Sequence, residues 1–140
     1  MVIKEVKQNL FTVSDDYYFA HCISADYALG AGIAVEFNKR YKMSRRLKQM
    51  YPNGLGGVGC VLIDNVFNLI TKEKYYHKPT YNSLRRALES MFDQCNKLEI
   101  KKLAMPKIGC GLDRLQWGKV KKMIEEIFNG LDIETLVCSL

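Results

Sequence analysis

A chain of 140 residues with 21 Lys and Arg against 15 Asp and Glu carries a formal charge of +6. That length suits one domain with a substantial core, and 48% hydrophobic with 26% charged residues excludes a long disordered chain or a collagen-like repeat. No apolar run approaches the roughly 18 residues of a membrane span, the opening MVIKEVKQNLF lacks a signal-peptide pattern, and the positive balance favours an anionic partner without choosing among phosphate, nucleotide and nucleic acid.

Val2 to Lys7 alternates as a strand, and Tyr17 to Ile23 reads as a buried one. The glycines of Leu29-Gly30-Ala31-Gly32 hand over to a helix from Ile33 to about Tyr41, and a second short helix runs from Ser44 to Tyr51, stopped by Pro52-Asn53-Gly54. Gly59 to Ile63 and Val66 to Thr71 form two strands joined at Asp64-Asn65 by a tight hairpin turn. Thr80 to about Leu98 is the clearest helix, with Leu84, Leu88, Met91 and Cys95 on one stripe. A short strand, Leu103-Ala104-Met105, precedes a glycine-rich turn. A helix follows from Trp117 to Phe128, with Val120, Ile124, Ile127 and Phe128 facing inward, and Ile133 to Leu140 is the last strand. Strands alternating with long helices predict an α/β layer structure on a largely parallel sheet, made mixed by the hairpin. Residues 1–140 are expected to form a single domain.

The cysteines (Cys22, Cys60, Cys95, Cys110 and Cys138) are odd in number and contain no C-x-x-C pair. With only His21 and His77 beside them, neither a disulfide framework nor a zinc site is expected, but reduced thiols in an intracellular compartment.

Ligands of open α/β sheets bind beyond the carboxyl ends of strands, where loops enter helix N-termini. Two such loops carry glycine here: Asp26 to Ile33 (DYALGAGI) and Lys107 to Asp113 (KIGCGLD). Either they are tight turns, or their backbone N–H groups cradle a phosphate-bearing ligand. Neither matches a dinucleotide or P-loop fingerprint. Asp113-Arg114-Leu115-Gln116 has the spacing of a capping box, and catalysis is the other reading of Asp113. Lys72 is a solvated surface lysine or a partly desolvated nucleophile near other cations. His77 reads as a loop or helix-entry residue. Lys39, Arg40, Lys42, Arg45, Arg46 and Lys48 crowd ten residues, forming a solvated helix face or a track for a phosphate backbone with Tyr41 as a stacking group.

Ala20-His21-Cys22-Ile23-Ser24, Gly30-Ala31-Gly32-Ile33-Ala34-Val35, Leu69-Ile70-Thr71-Lys72, His77-Lys78-Pro79-Thr80-Tyr81 and the block from Met105 to Trp117 (MPKIGCGLDRLQW) together resemble a macrodomain. The likeness is to the terminal ADP-ribose protein glycohydrolase branch and covers nearly the whole chain. It implies a three-layer α/β/α fold with a mixed, mostly parallel six-stranded sheet and an ADP-ribose cleft at its crest. It also implies hydrolysis of ADP-ribose from acidic side chains of proteins and from small acyl esters, with no metal or cofactor. By the same resemblance Lys72 is the catalytic lysine and Asp113 the catalytic aspartate. Lys107, Ile108, Gly109, Cys110, Gly111 and Leu112 would wrap the diphosphate and distal ribose, while Ser24, Gly30, Gly32 and Ile33 would line the other wall. Leu140 would reach the adenosine end. Gln8-Asn9 stands where macrodomains commonly carry Gly-Asp, so Asn9, followed by Leu10, would offer adenine a neutral carbonyl acceptor in place of a charged one. The partners implied are ADP-ribose and ADP-ribosylated protein, acted on by a cytoplasmic (in a nucleated host, nucleocytoplasmic) monomer with no membrane contact. ADP-ribosylated DNA as substrate, or a non-catalytic ADP-ribose reader, are the alternatives.

Overall fold

The structure, a computed structural model, describes residues 1–140. Six strands, β1 (Val2–Lys7), β2 (Tyr18–Ser24), β3 (Gly59–Ile63), β4 (Val66–Lys72), β5 (Lys102–Met105) and β6 (Glu134–Ser139), form one sheet in the order β1-β6-β5-β2-β4-β3. Every pairing is parallel except β3 with β4, so the sheet is mixed and mostly parallel, as expected. The β3–β4 turn is two residues long, with Ile63 opposite Val66 and Asp64 in the left-handed region at φ 53°.

Helices α1 (Ile33–Tyr41) and α2 (Met43–Met50) cover one face of the sheet, and α3 (Tyr81–Leu98) and α4 (Trp117–Ile127) the other. The strands are two-sided for this reason. On β4, Phe67 and Leu69 join the α3–α4 core, while Val66 and Ile70 join the core beneath Phe37, Met43 and Leu47. Leu84, Leu88, Met91 and Cys95 of α3 are all buried, and α4 buries Val120, Met123 and Ile124, with Phe128 just past its end. Thr80 caps α3 reciprocally: its hydroxyl accepts from the Ser83 N–H at 3.0 Å, and the Ser83 hydroxyl accepts from the Thr80 N–H at 2.9 Å.

Between sheet and α1 lies a buried polar pair. The Asn68 amide donates to the carbonyls of Val61 and Val66, so its Oδ1 faces the His21 ring and accepts from Nε2 at 2.6 Å. His21 Nδ1 has no partner, and the ring packs on Phe37 at 4.2 Å between centroids. Burial pulls the imidazole down to about 4 against a smaller upward pull from Asn68, so it is neutral at pH 7.

Candidate active site

The carboxyl ends of β4, β2 and β5 open side by side into one cavity of about 470 Å³, a size suited to a nucleotide-scale ligand. Lys72 is the last residue of β4, and Asp113 lies in the loop after β5. Across β2 they form an ion pair, Lys72 Nζ to Asp113 Oδ1 at 2.7 Å, with side chains 13% and 15% exposed. The β2–β4 register slips just before this point: Ile23 pairs with Ile70 but Ser24 with Lys72, leaving Thr71 as the extra residue of a bulge. A bulge re-aims the side chain that follows it, and here it falls next to the one lysine that faces the aspartate.

The capping reading of Asp113 is corrected by the structure. α4 begins at Trp117, its N-cap is Gln116 with no side-chain cap bond, and Arg114 sits at φ 64°. That left-handed residue breaks the chain direction a capping box needs, and Asp113 is left to face Lys72.

The two glycine loops form opposite walls. Gly32, at φ 61°, starts α1, and a Cβ built on it would lie 3.7 Å from the Leu112 side chain of the other loop. The N–H groups of Gly30, Gly32, Gly111 and Leu112 bond to no protein acceptor, and the α1 dipole adds positive potential at the same place. Gly109 is required twice over: φ is 72°, and a Cβ would come within 3.1 Å of Leu115 and 3.3 Å of Leu84. Lys78 donates to the Leu112 carbonyl at 2.6 Å, a second tie between the segment after β4 and the loop after β5.

Asp26 is the tie on the opposite side, and sequence reasoning missed it. Its carboxylate accepts from the Ser24 hydroxyl, from the Ala28 N–H at 3.1 Å and from the Tyr75 N–H at 2.9 Å. Partial burial pushes the carboxyl up, but these three bonds and nearby Lys74 outweigh it, so it is held below the usual range. An aspartate just after a strand and just before a glycine loop, placed to close an Asx-turn on the N–H of Ala28, was its available signal. Tyr75, also unanticipated, lines the cavity with its ring largely exposed.

Of the expected site residues, Ser24, Gly30, Gly32, Ile33, Lys72, Lys107, Ile108, Gly109, Gly111, Leu112 and Asp113 line the cavity; Asn9, Leu10, Cys110 and Leu140 do not. Asn9 caps the 3-10 turn Leu10–Thr12, its Oδ1 accepting from the Phe11 N–H at 2.9 Å, and Leu10 is buried in the α1–α2 core. The Cys110 thiol turns back onto the Ile108 carbonyl, and Leu140 projects past β6, almost fully exposed. Cys22 also lines the cavity; burial, reinforced by Asp113 and Cys110, pushes its thiol up to about 12, so it is a protonated thiol at neutral pH. No cluster of three His, Cys, Asp or Glu side chains suited to a metal ion occurs.

The Macro domain family profile matches residues 28–124. The ADP-ribose glycohydrolase OARD1 of Homo sapiens is 44% identical over 140 residues, spanning 99% of this chain and 91% of that protein. The DNA ADP-ribosyl glycohydrolase of Thermus aquaticus is 21% identical over 114 residues, 74% of this chain and 32% of that protein. In fold the chain is similar to the macrodomain of Mycobacterium tuberculosis DarG, with a TM-score of 0.83 at 19% identity over 99% of this chain and 98% of that one.

Proposed function

The chain belongs to the macrodomain family, and from that premise we propose that it is an ADP-ribose glycohydrolase releasing ADP-ribose from carboxylate side chains of modified proteins. The observation that carries this reading is the Lys72–Asp113 pair at 2.7 Å, at the base of a cleft walled by two loops with unpaired backbone donors. A protein that only binds ADP-ribose needs neither a desolvated amine nor a carboxylate beside it.

The diphosphate binds the loop N–H groups, which holds the anomeric carbon of the distal ribose near Lys72. The Lys72 amine, its proton passed to Asp113, attacks that carbon. A C–N bond forms, the C–O bond to the acyl group breaks, and the electron pair leaves with the carboxylate. The released carboxylate takes one N–H proton of the adduct, Asp113 gives its proton to the ring oxygen, and the ring C–O bond breaks to leave a protonated Schiff base on Lys72. Water adds to the imine carbon, its proton returns through Asp113, and the amine departs as the sugar closes. Where the acyl group of an O-acyl-ADP-ribose ester sits on the anomeric oxygen, the leaving group is again a carboxylate, so such esters are substrates of the same site. We further propose that the enzyme acts as a monomer in the cytoplasm or nucleocytoplasm.

Borohydride added during turnover is expected to trap ADP-ribose covalently on Lys72, read by peptide mass spectrometry, and to trap nothing on Lys72→Ala. Undiminished activity in Lys72→Ala overturns the nucleophile assignment.

A further inference from the structure

Residues 39–48 carry six cations and no acid; taken from the chain's 21 cations they leave 15, against 15 acids in the whole chain. The entire formal charge of the protein therefore sits on the end of α1 and on α2. Two of the six are neutralised locally, Arg40 by Glu36 and Arg46 by a two-pronged bond to Asp64 at 2.8 and 2.9 Å. Lys39, Lys42, Arg45 and Lys48 are exposed and form no ion pair. Lys42, Arg45 and Lys48, at intervals of three, edge an open depression whose other lining side chains, Asn38, Ser44 and Gln49, are all polar.

Lys42, at φ 51°, is both the C-cap of α1 and the N-cap of α2, and the first turn of α2 contains no acidic residue. Arg45 therefore stands, without an ion-pair partner, at the positive end of a helix, where an anion is favourable. We infer that the α1–α2 surface docks the phosphodiester backbone of a nucleic acid, independently of base sequence and apart from the cleft.

Lysine, arginine and neutral amide donors are the groups that contact phosphate oxygens. An acidic polypeptide is a poorer match, because protein interfaces depend on buried apolar or aromatic anchors and no hydrophobic side chain lines the depression. Tyr41 is not the stacking platform its sequence position suggested: its hydroxyl donates to Asn65 at 3.2 Å and its ring packs near Phe37. With no aromatic side chain lining the depression to hold bases, only the backbone is recognised there. Ile33 at the start of α1 lines the cleft, and nine helical residues at about 1.5 Å each set the docking surface roughly 13 Å from it. A polymer held there lies beside the active site without entering it.

The full chain is titrated into fluorescein-labelled 20-base-pair duplex of mixed sequence, and separately into labelled poly-glutamate of equal length, and followed by anisotropy between 50 and 200 mM NaCl. Four phosphate contacts predict a log–log salt slope of about −3.6, a loss of roughly 100-fold over that range. The variant Lys42→Gln/Arg45→Gln/Lys48→Gln is expected to flatten the slope by about 2.7 and to hydrolyse a small ADP-ribose ester at the wild-type rate. A control with the same charge change elsewhere, Lys97→Gln/Lys101→Gln/Lys122→Gln, is expected to bind duplex nearly as the wild type does. Undiminished binding by the first variant, equal weakening in the control, or poly-glutamate bound as tightly as duplex each overturns the inference.

Discussion

Lowering the pH from 7 to 4.5 is expected to remove a definite part of the stability through His21 alone. The imidazole is fully buried, its Nε2–H is committed to Asn68, and its Nδ1 faces no donor. Burial holds it at about 4 in the folded protein, against an ordinary value of 6.5. Between those values the unfolded chain binds a proton that the folded chain refuses, so stability falls as pH falls. The contribution is complete above pH 6.5, is lost progressively toward pH 4, and falls no further below that. At about 1.36 kcal/mol per unit, the gap corresponds to roughly 3 kcal/mol in all, most of which is gone by pH 4.5. Urea denaturation of wild type and His21→Gln at a series of pH values isolates this term, since glutamine keeps a donor for Asn68 but does not titrate. Carboxylates contribute equally to both curves and cancel in the difference. The difference between the two stabilities should change by roughly 2 kcal/mol between pH 7 and 4.5; parallel curves would refute the assignment of a buried neutral imidazole.

Asp113→Asn should lower kcat by 10³-fold or more, about 4 kcal/mol of transition-state stabilisation, while ADP-ribose affinity measured by calorimetry changes by less than about tenfold. Asp26→Ala unties the loop before α1 from the segment after β4, and is expected to raise KM for an ADP-ribose ester more than it lowers kcat, with faster amide exchange at Ala28 and Tyr75. Gly109→Ala combines a positive φ with contacts of 3.1 and 3.3 Å to Leu115 and Leu84, so a chemical-denaturation loss of about 2–4 kcal/mol is expected; a change below 0.5 kcal/mol would contradict the local packing.

Much of the architecture was legible because the patterns obey one rule at a time. β3 and β4 are bounded by a two-residue polar turn, and α3 carries an unbroken apolar stripe. The two glycine loops stood out because each follows a strand and leads toward a helix, where a tight turn or a ligand's close approach calls for glycine. The details that aim the chemistry were less visible. Val66 to Thr71 is buried on both faces, so no change of phase in its side chains marks the bulge at Thr71. Asp113 has the spacing of a capping box, and only the backbone turn at Arg114 sends it to Lys72 instead. Asn9 and Leu10 followed a family pattern, whereas locally the asparagine closes a short turn and the leucine seals a core. The charge of residues 39–48 was plain in the sequence, but which of those cations are free depended on Glu36 and Asp64, the latter far along the chain.

The pairing of β1 with β6 has a consequence for how the protein is made. β1 has no partner other than β6, so between the synthesis of β1 and that of β6 a nascent chain carries an unmatched strand. At about 5–20 residues per second, that wait is on the order of ten seconds. An unpaired strand edge invites association with other chains, and charged side chains are a means of discouraging it. Lys4, Glu5 and Lys7 are exposed on β1, which gives that strand its own protection until β6 arrives.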